Sequence, residues 1–428
     1  MQLGEGLVKA EKSSHYVRYL LIIGILVLSF SLASVLRMQP LEYGFELNEF
    51  DPFFNYRATQ FMVENGLPAY LEWNDDLSWH PYGRDVSSTS QVMLHTTGAT
   101  LYQTFGMGTS LYDFTIWFPL VFSSLTAIVV FALVRTIGGT TAGLLASLFF
   151  AISPIIILRG SIGWFKSEPL GLFFGLIAVY LLLSGIKSDK GKVSFAKIVG
   201  AGIVLACGLA SWGGTQFFIL PIGLFFLALP FLRKDNKFII WTSVIFTSVF
   251  FLATGLYEKT GFAFISNLSG FFLIGCTVFL VTCVIIRRIG KAQLRNSLAL
   301  LGGAITAGIV IIFSGVITLG SFRYLNAANP FLITTETLID SVSEHATTTI
   351  DISFYFFSIL MVFAGIGAWL LFQKNVNHSL GIKNEMAAFA LIIGLVGVYF
   401  SSAFVRLEVF GSISVIICLL YTSDAADE

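Results

Sequence analysis

The sequence contains little charge. Only 12% of its 428 residues are Asp, Glu, Lys or Arg, about half the fraction of an average soluble domain. Apolar residues make up 56% of the chain and aromatic residues 15%, and the mean hydropathy is +0.83. This composition excludes an ordinary soluble protein and indicates an all-α polytopic membrane protein.

Cysteine and net charge are also scarce. The four cysteines lie in or beside apolar stretches without ligand spacing, which excludes a disulfide framework and a zinc site. Acidic and basic residues balance at 25 each, so no bulk attraction to nucleic acid is expected. No internal repeat is visible.

Apolar stretches that could cross a bilayer recur along the whole chain. They cover residues 19–36, 113–135, 140–158, 168–186, 197–211, 214–232, 238–256, 264–286, 297–320, 352–373, 386–405 and 407–421. With residues 1–18 in the cytoplasm, most of the 25 basic residues fall on the inner side, as the positive-inside rule requires. The sequence therefore predicts about twelve spans and an uncleaved first helix.

Residues 19–421 form one predicted transmembrane catalytic domain with two long extracytoplasmic loops, residues 37–112 and 321–351. The end, Cys418 to Glu428, resembles a reading-frame translation of a transposon-end sequencing adapter, which predicts a non-native tail on a truncated chain. An ordinary disordered tail is the alternative.

The segment from Glu46 to Arg57 concentrates acids just outside the first span. Asp51 before Pro52 is typical of an N-cap and first turn, which gives these acids a purely structural explanation. The functional alternative depends on further charges at the outer ends of later spans.

Such charges recur at three places. Arg159 and Glu168 flank a turn with two glycines, Glu344 lies in the second long loop, and Arg406 stands between two apolar stretches. Each has a simpler explanation: Arg159 and Glu168 as interface anchors, Glu344 as a solvated loop acid, and Arg406 as the partner of Glu408.

Together these motifs resemble a known family. Glu49 to Thr59, reading Glu-Phe-Asp-Pro-Phe-Phe-Asn-Tyr-Arg-Ala-Thr, resembles the first acidic motif of the catalytic subunit of oligosaccharyltransferase, the membrane enzyme of asparagine-linked glycosylation. The turn Trp79–Gly83 is similar to its Trp-x-Pro-x-Gly element. Arg159 to Glu168 takes the place of the second acidic motif, Ser341 to His345 that of the loop motif, and Arg406-Leu407 that of a late basic site. The overall style resembles single-subunit archaeal members.

The resemblance implies a GT-C-like transmembrane fold and a specific chemistry. The donor would be an oligosaccharide on a polyprenyl phosphate or pyrophosphate, and the acceptor the Asn of Asn-x-Ser/Thr in a polypeptide. Asp51 and Glu344 would hydrogen-bond the poorly nucleophilic amide and aim it at the sugar. Arg159 would orient Asp51, as a third catalytic residue.

The resemblance also implies a metal and a substrate-binding set. Mn²⁺ or Mg²⁺ would be held by Asp51 and Glu168. Arg406, on the leaving phosphate, would bind substrate together with His345 and Lys166.

Lys166 departs from the family pattern, because a metal-binding acid normally begins the second motif. Three explanations stay open: a metal bound by Asp51, Glu168 and Glu344; Lys166 replacing the metal as the counter-charge of Asp51; or an inactive paralogue. The family's soluble C-terminal domain, which reads the Ser/Thr of the acceptor, is also expected in the intact protein.

Two other functions compete with this interpretation. Another polyprenyl-phosphate-sugar transferase would not need Glu344, and a transporter would carry its charges in mid-span. The expected location is the cell membrane in an archaeon or the endoplasmic reticulum in a eukaryote, with the site outside the cytoplasm. Membrane lipid is an expected partner and nucleic acid is not.

Overall fold

The structure, a computed structural model, is built almost entirely of helices. It describes residues 2–106, 108–188, 191–233, 235–289, 293–314, 342–377 and 385–424. The helices are α1 Gln2–Arg37, α2 Phe50–Leu71, α3 Val86–Thr89, α4 Val92–Phe105, α5 Leu111–Ile152, α6 Pro154–Leu158, α7 Ser167–Ile186, α8 Gly191–Ser211, α9 Ile219–Leu232, α10 Asn236–Thr254, α11 Leu268–Ile289, α12 Gln293–Phe313, α13 Ile350–Phe357, α14 Leu360–Asn377, α15 Glu385–Ala403 and α16 Glu408–Asp424.

Short elements connect these helices. The 3-10 helices are Gln39–Tyr43, Gly213–Phe218, Phe262–Ser266, Ser343–His345 and Val405–Leu407. Strands β1 Asn74–Asp75 and β2 Arg84–Asp85 pair antiparallel and enclose the Trp79–Gly83 turn.

The long apolar helices coincide with apolar stretches of the sequence, while α2, α3 and α4 lie in residues 37–112, which the sequence predicted to be a loop. Eight helices in the described ranges are long and apolar enough to cross a membrane, or up to nine if Ile350–Phe357 and Leu360–Gln373, bent by 89°, form one span. Helix α5 joins two predicted spans and breaks between them at Gly139, whose φ of +89° suits glycine. The number of crossings and the side of the N-terminus stay predictions.

The main core lies between the apolar helices, and residues 37–112 pack on two smaller apolar clusters. A large cluster of aliphatic and phenylalanine side chains joins α5, α7 to α11 and α13 to α16. Two smaller clusters lie under residues 37–112, one around Leu47, Leu94 and Phe165 and the other around Ala58 and Met62. The α6–α7 loop therefore rests on the outer segment.

Two predicted regions are described only in part. Of the second long loop, residues 321–341 lie outside the described residues, and the described part begins at Val342. Of the predicted tail, Cys418 and the residues to Asp424 belong to α16, while residues 425–428 lie outside. The origin of the tail stays a prediction.

Candidate active site

Helix α2 begins before the predicted Asp-Pro start. Its N-cap is Glu49, which has a φ of +68°, so the interpretation of Asp51 as the N-cap was wrong. Asp51 lies in the first turn with its side chain 72% exposed. A carboxylate that does not cap the helix can make contacts outside it.

Hydrogen bonds fasten the α6–α7 loop to the start of α2. The backbone N–H of Asn48 donates to the carbonyl of Gly163 over 3.0 Å. The side-chain Nδ2 of Asn55 donates to the carbonyl of Phe165 over 2.9 Å. Gly163 has a φ of +77°, and a Cβ there would lie 2.3 Å from the carbonyl oxygen of Glu46. Only glycine permits this approach.

A buried polar chain holds Asn55. His95 donates from Nε2 to Oδ1 of Asn55 over 3.0 Å, and its Nδ1 accepts from the hydroxyl of Tyr70 over 2.6 Å. These partners assign a neutral imidazole. Burial, followed by the charges of Arg84 and Lys259, lowers the pKa of His95 to about 3.

The loop brings one cation to the first acidic motif. Nζ of Lys166 donates to Oε2 of Glu49 and lies 3.3 Å from Oδ2 of Asp51. The side chain of Lys166 is only 9% exposed. We call Glu49, Asp51 and Lys166 the lysine cluster. It carries two acids and one base, so its net charge is negative.

Two arginines share two acids in a second group. Nη1 of Arg159 lies 2.8 Å from Oε1 of Glu344 and 4.0 Å from Oε1 of Glu168. Nη2 of Arg406 lies 2.8 Å from Oε1 of Glu168, and its Nε lies 3.8 Å from Oε2 of Glu344. We call these four residues the arginine cluster, and its formal charges cancel.

The geometry pairs two arginines with acids other than those the sequence suggested. Among the described residues, the acid partners of Arg159 are Glu344 and Glu168, and an orienting effect of Arg159 on Asp51 stays a prediction. Arg406 pairs with Glu168, not with Glu408, whose Oε1 instead accepts from Ser353 over 2.9 Å. In each case a neighbour in space replaces the predicted partner.

The pKa shifts agree with these pairings. Burial raises the pKa of Glu344, but the hydrogen bond and charge of Arg159, with the charge of Arg406, outweigh it and leave that pKa below its usual value. Burial lowers the pKa of Lys166, yet the bond to Glu49 and nearby carboxylates leave it raised. Both groups are therefore charged at neutral pH.

Trp164 lies between the two clusters. Nζ of Lys166 is 4.3 Å from its ring centre, and the guanidinium carbon of Arg159 is 5.7 Å from it. Both distances are within the range of cation–π attraction. The indole therefore supports one cation of each cluster.

The chain was compared with known proteins. The family model for the N-terminal part of oligosaccharyl transferase STT3 matches residues 19–421. The chain belongs to the STT3 family. It is 26% identical over 418 residues to the STT3 subunit of dolichyl-diphosphooligosaccharide–protein glycosyltransferase from Dictyostelium discoideum, a match that covers 94% of this chain and 56% of the relative. The chain is also 26% identical to the STT3B subunit from Arabidopsis thaliana, in a match that covers 91% of this chain and 53% of that relative.

Solved structures share the fold. The oligosaccharyltransferase AglB from Archaeoglobus fulgidus, in complex with an inhibitory peptide and a dolichol-phosphate, superimposes with a TM-score of 0.75 at 17% identity. The match covers 96% of this chain and 51% of AglB. The all-α, GT-C-like membrane fold is thus confirmed, and the chain spans about half the length of the relatives it matches.

The described residues of this STT3-family chain do not fit the expected Mn²⁺ or Mg²⁺. Such cations take several oxygen ligands, and the described part of the chain holds no group of three or more His, Cys, Asp or Glu side chains that could bind one. The expected ligands pair with different cations, Asp51 with Lys166 and Glu168 with Arg406. The ammonium of Lys166 would repel a metal at Asp51.

A cavity of about 620 Å³ opens beside the arginine cluster of this STT3-family chain. Trp212, Phe217 and Phe410 stack in its wall, with ring centres 5.3 and 4.0 Å from that of Phe410. Its other lining residues include Ser167, Lys259, His345, Phe400, Phe404 and Arg406. The cavity is therefore largely aromatic with a few cationic groups.

Three residues were missed by the sequence analysis. Glu49 was grouped with the acidic segment but not selected, and neither Lys259 nor Trp212 was named. Lys259 lies in the short segment between α10 and α11, where a charge is ordinary and gives no signal. Only the folded chain brings it to the cavity.

Proposed function

We propose that the chain carries the catalytic site of an enzyme that transfers an oligosaccharide from a polyprenyl-(pyro)phosphate carrier to the Asn of Asn-x-Ser/Thr. The observation that carries this proposal is the position of Arg406. It contacts the acids of the arginine cluster and also lines the cavity. Arg406 thereby connects Glu344, an acid suited to bind the acceptor amide, with a cavity suited to bind a lipid phosphate.

The donor is assigned to the cavity. Its aromatic wall suits the first isoprene units of the carrier, while Arg406, Lys259 and His345 suit the phosphates. Lys259 forms no ion pair with any residue that the structure describes, which leaves its charge for an anion.

The acceptor amide is assigned to Asp51 and Glu344, whose side chains are 72% and 27% exposed. The amide nitrogen forms a bond to the anomeric carbon, and the bond from that carbon to the phosphate oxygen breaks, with its electron pair leaving on the phosphate. One amide proton passes to Asp51. Hydrogen bonds from the amide to the two carboxylates weaken its conjugation and aim the nitrogen.

Arg159 and Arg406 have different roles in this reaction. Arg159 holds Glu344 over 2.8 Å and so fixes the second acid. Arg406, already bonded to Glu168, presents its remaining donors to the leaving phosphate. The charge that develops on the leaving group is stabilised by these fixed cations.

The site faces away from the cytoplasm in the cell membrane of an archaeon or the endoplasmic reticulum of a eukaryote. The relatives named above are glycosyltransferase subunits, and one solved structure of the archaeal enzyme is tethered to an acceptor peptide with an Asn-Val-Thr sequon. These names support the same donor and acceptor classes here. A single-subunit enzyme is part of the proposal.

Transfer from a dolichyl-diphosphate-linked oligosaccharide to a fluorescent Asn-x-Thr peptide tests the function, with the native full-length protein in nanodiscs. Glu344→Gln is expected to lower kcat about 100-fold, and Arg406→Ala to raise the donor KM about tenfold. Arg135→Ala, an exposed arginine on α5 away from the site, serves as control.

A Gln-x-Thr peptide must stay unmodified. Transfer of sugar to a lipid or glycan instead, without need for Glu344, would favour a different polyprenyl-phosphate-sugar transferase. No transfer to either acceptor would favour a non-catalytic paralogue.

A further inference from the structure

We propose that the ammonium of Lys166 takes the position of the divalent cation and acts as the fixed counter-charge of Asp51, so that this site works without a metal. The inference rests on the proposed function. Lys166 forms and breaks no covalent bond in it. It acts through Asp51 and is therefore a positioning residue.

The placement of Lys166 is built into the fold. Its loop is fastened to the Asp51 segment by Asn48 and Asn55, and Gly163 permits the close approach. The ammonium reaches both acids of the motif, with Nζ 3.3 Å from Oδ2 of Asp51 and hydrogen-bonded to Glu49. A lysine held at both its backbone and its charged end has little freedom to leave.

The charges around Lys166 also favour this role. Its cluster holds two acids and one base, so the ammonium neutralises half of the negative charge and leaves the rest for the acceptor amide. The face of Trp164, 4.3 Å away, adds attraction without competing for protons. A compact point charge with three donors can direct a carboxylate much as a cation does.

The arginine cluster supplies what an ammonium cannot. A metal held by Asp51 would also supply positive charge for the leaving phosphate, whereas the ammonium of Lys166 is committed to Glu49 and Asp51. Arg406 bonds to Glu168, the other expected metal ligand, and lines the cavity. The two tasks of a metal are thereby divided between Lys166, for the acid, and Arg406, for the phosphate.

Binding of Mn²⁺ to the native full-length protein, followed by electron paramagnetic resonance, tests the placement without any need for transfer. The wild-type protein is expected to leave the spectrum of free Mn²⁺ unchanged. Lys166→Asp is expected to bind the ion, because it adds a third acid and removes the competing charge. Lys187→Asp, the same change at the other end of α7 on an exposed lysine, is expected to behave as wild type.

Transfer to the Asn-x-Thr peptide tests the role. Adding a chelator is expected to change the transfer rate of the wild-type protein by less than about twofold. The same chelator is expected to lower the transfer rate of Lys166→Asp about tenfold or more. Lys166→Met is expected to lose about 100-fold, with no recovery in Mn²⁺. Melting temperatures identify variants that do not fold.

Some results would overturn the inference. One is that the wild-type protein binds Mn²⁺ and Asp51→Asn abolishes this binding. A second is that a chelator stops transfer by the wild-type protein and Mn²⁺ restores it. A third is that Lys166→Asp folds but does not bind Mn²⁺. If the Mn²⁺ spectra are as expected but no variant transfers sugar, the proposed function fails while the placement of the ammonium stands.

Discussion

The lysine cluster and the arginine cluster both hold acids beside cations in one membrane domain, but they do so in opposite ways. In the lysine cluster the acids are open, and the side chain of Asp51 is 72% exposed. In the arginine cluster the side chain of Glu168 is 4% exposed and lies between two guanidinium groups. An open acid can take part in chemistry, whereas a buried one mainly organises its neighbours.

The two clusters also differ in their chain connections. Lys166 reaches Glu49 from a loop that backbone and side-chain hydrogen bonds fasten to the same segment. Arg159 and Glu344 are 185 residues apart, and Arg406 and Glu168 are 238 apart. Lys166 and Glu49 are also 117 residues apart, but the arginine cluster joins segments that lie further apart in the chain, and its loss should affect stability first.

The largest expected effect is on transfer, at the open acid. Asp51→Asn should lower the transfer rate about 100-fold or more, because the charge that orients the amide is lost. The melting temperature should not change, since the side chain is mostly exposed. Asp76→Asn, an exposed acid of the same outer segment, is the matched control in both assays. Full activity of Asp51→Asn would contradict the claim that the exposed acid of the lysine cluster takes part in transfer.

The second effect is on stability, at the buried acid. Glu168→Gln should lower the free energy of unfolding by about 1–3 kcal/mol, because two arginines lose a charged partner in a buried place. Glu49→Gln, at a half-exposed acid of the lysine cluster, should change it by less than about 0.5 kcal/mol. Denaturant titration of both proteins measures the difference, and equal losses would contradict the distinction between the clusters.

A separate effect, which depends on pH, concerns the polar chain of Tyr70, His95 and Asn55. The folded pKa of His95 is about 3 and its ordinary value is 6.5. Between these values the unfolded chain holds a proton that the folded chain does not. Stability should therefore be complete above about pH 6.5 and fall by about 1.4 kcal/mol per pH unit as the pH drops toward 3.

Unfolding measured at several pH values in wild type and in His95→Gln checks this slope. The variant removes the titrating group, so its stability should fall less steeply below pH 6.5. The same slope in both proteins would show that His95 is not held neutral.

The smallest effect tests the ring shared by the clusters. Trp164→Phe keeps an aromatic face under Lys166 and Arg159, so the free energy of unfolding should change by less than about 0.5 kcal/mol. Trp164→Leu removes the face and should lower it by about 1 kcal/mol more. Denaturant titration of the two variants decides the point. No difference between them would mean that the ring only fills space.

Much of this protein could be predicted from the order of its residues. The helical spans follow from long apolar stretches, because a backbone in lipid must satisfy its own hydrogen bonds. The charges of the site were selected through their resemblance to the motifs of the oligosaccharyltransferase family, and Asp51, Arg159, Lys166, Glu168, Glu344 and Arg406 do come together in the two clusters. Apolar stretches were sufficient for the spans, whereas the site needed the resemblance.

The choice of ion-pair partners was decided only by the tertiary structure. A sequence shows that Arg159, Lys166 and Arg406 are cations, but any of them could pair with any nearby acid. The choice depends on distances of a few ångströms between segments up to 238 residues apart, set by how the helices pack. That is why Arg159 faces Glu344 instead of Asp51, and why Lys259 reaches the cavity from a loop that gave no signal.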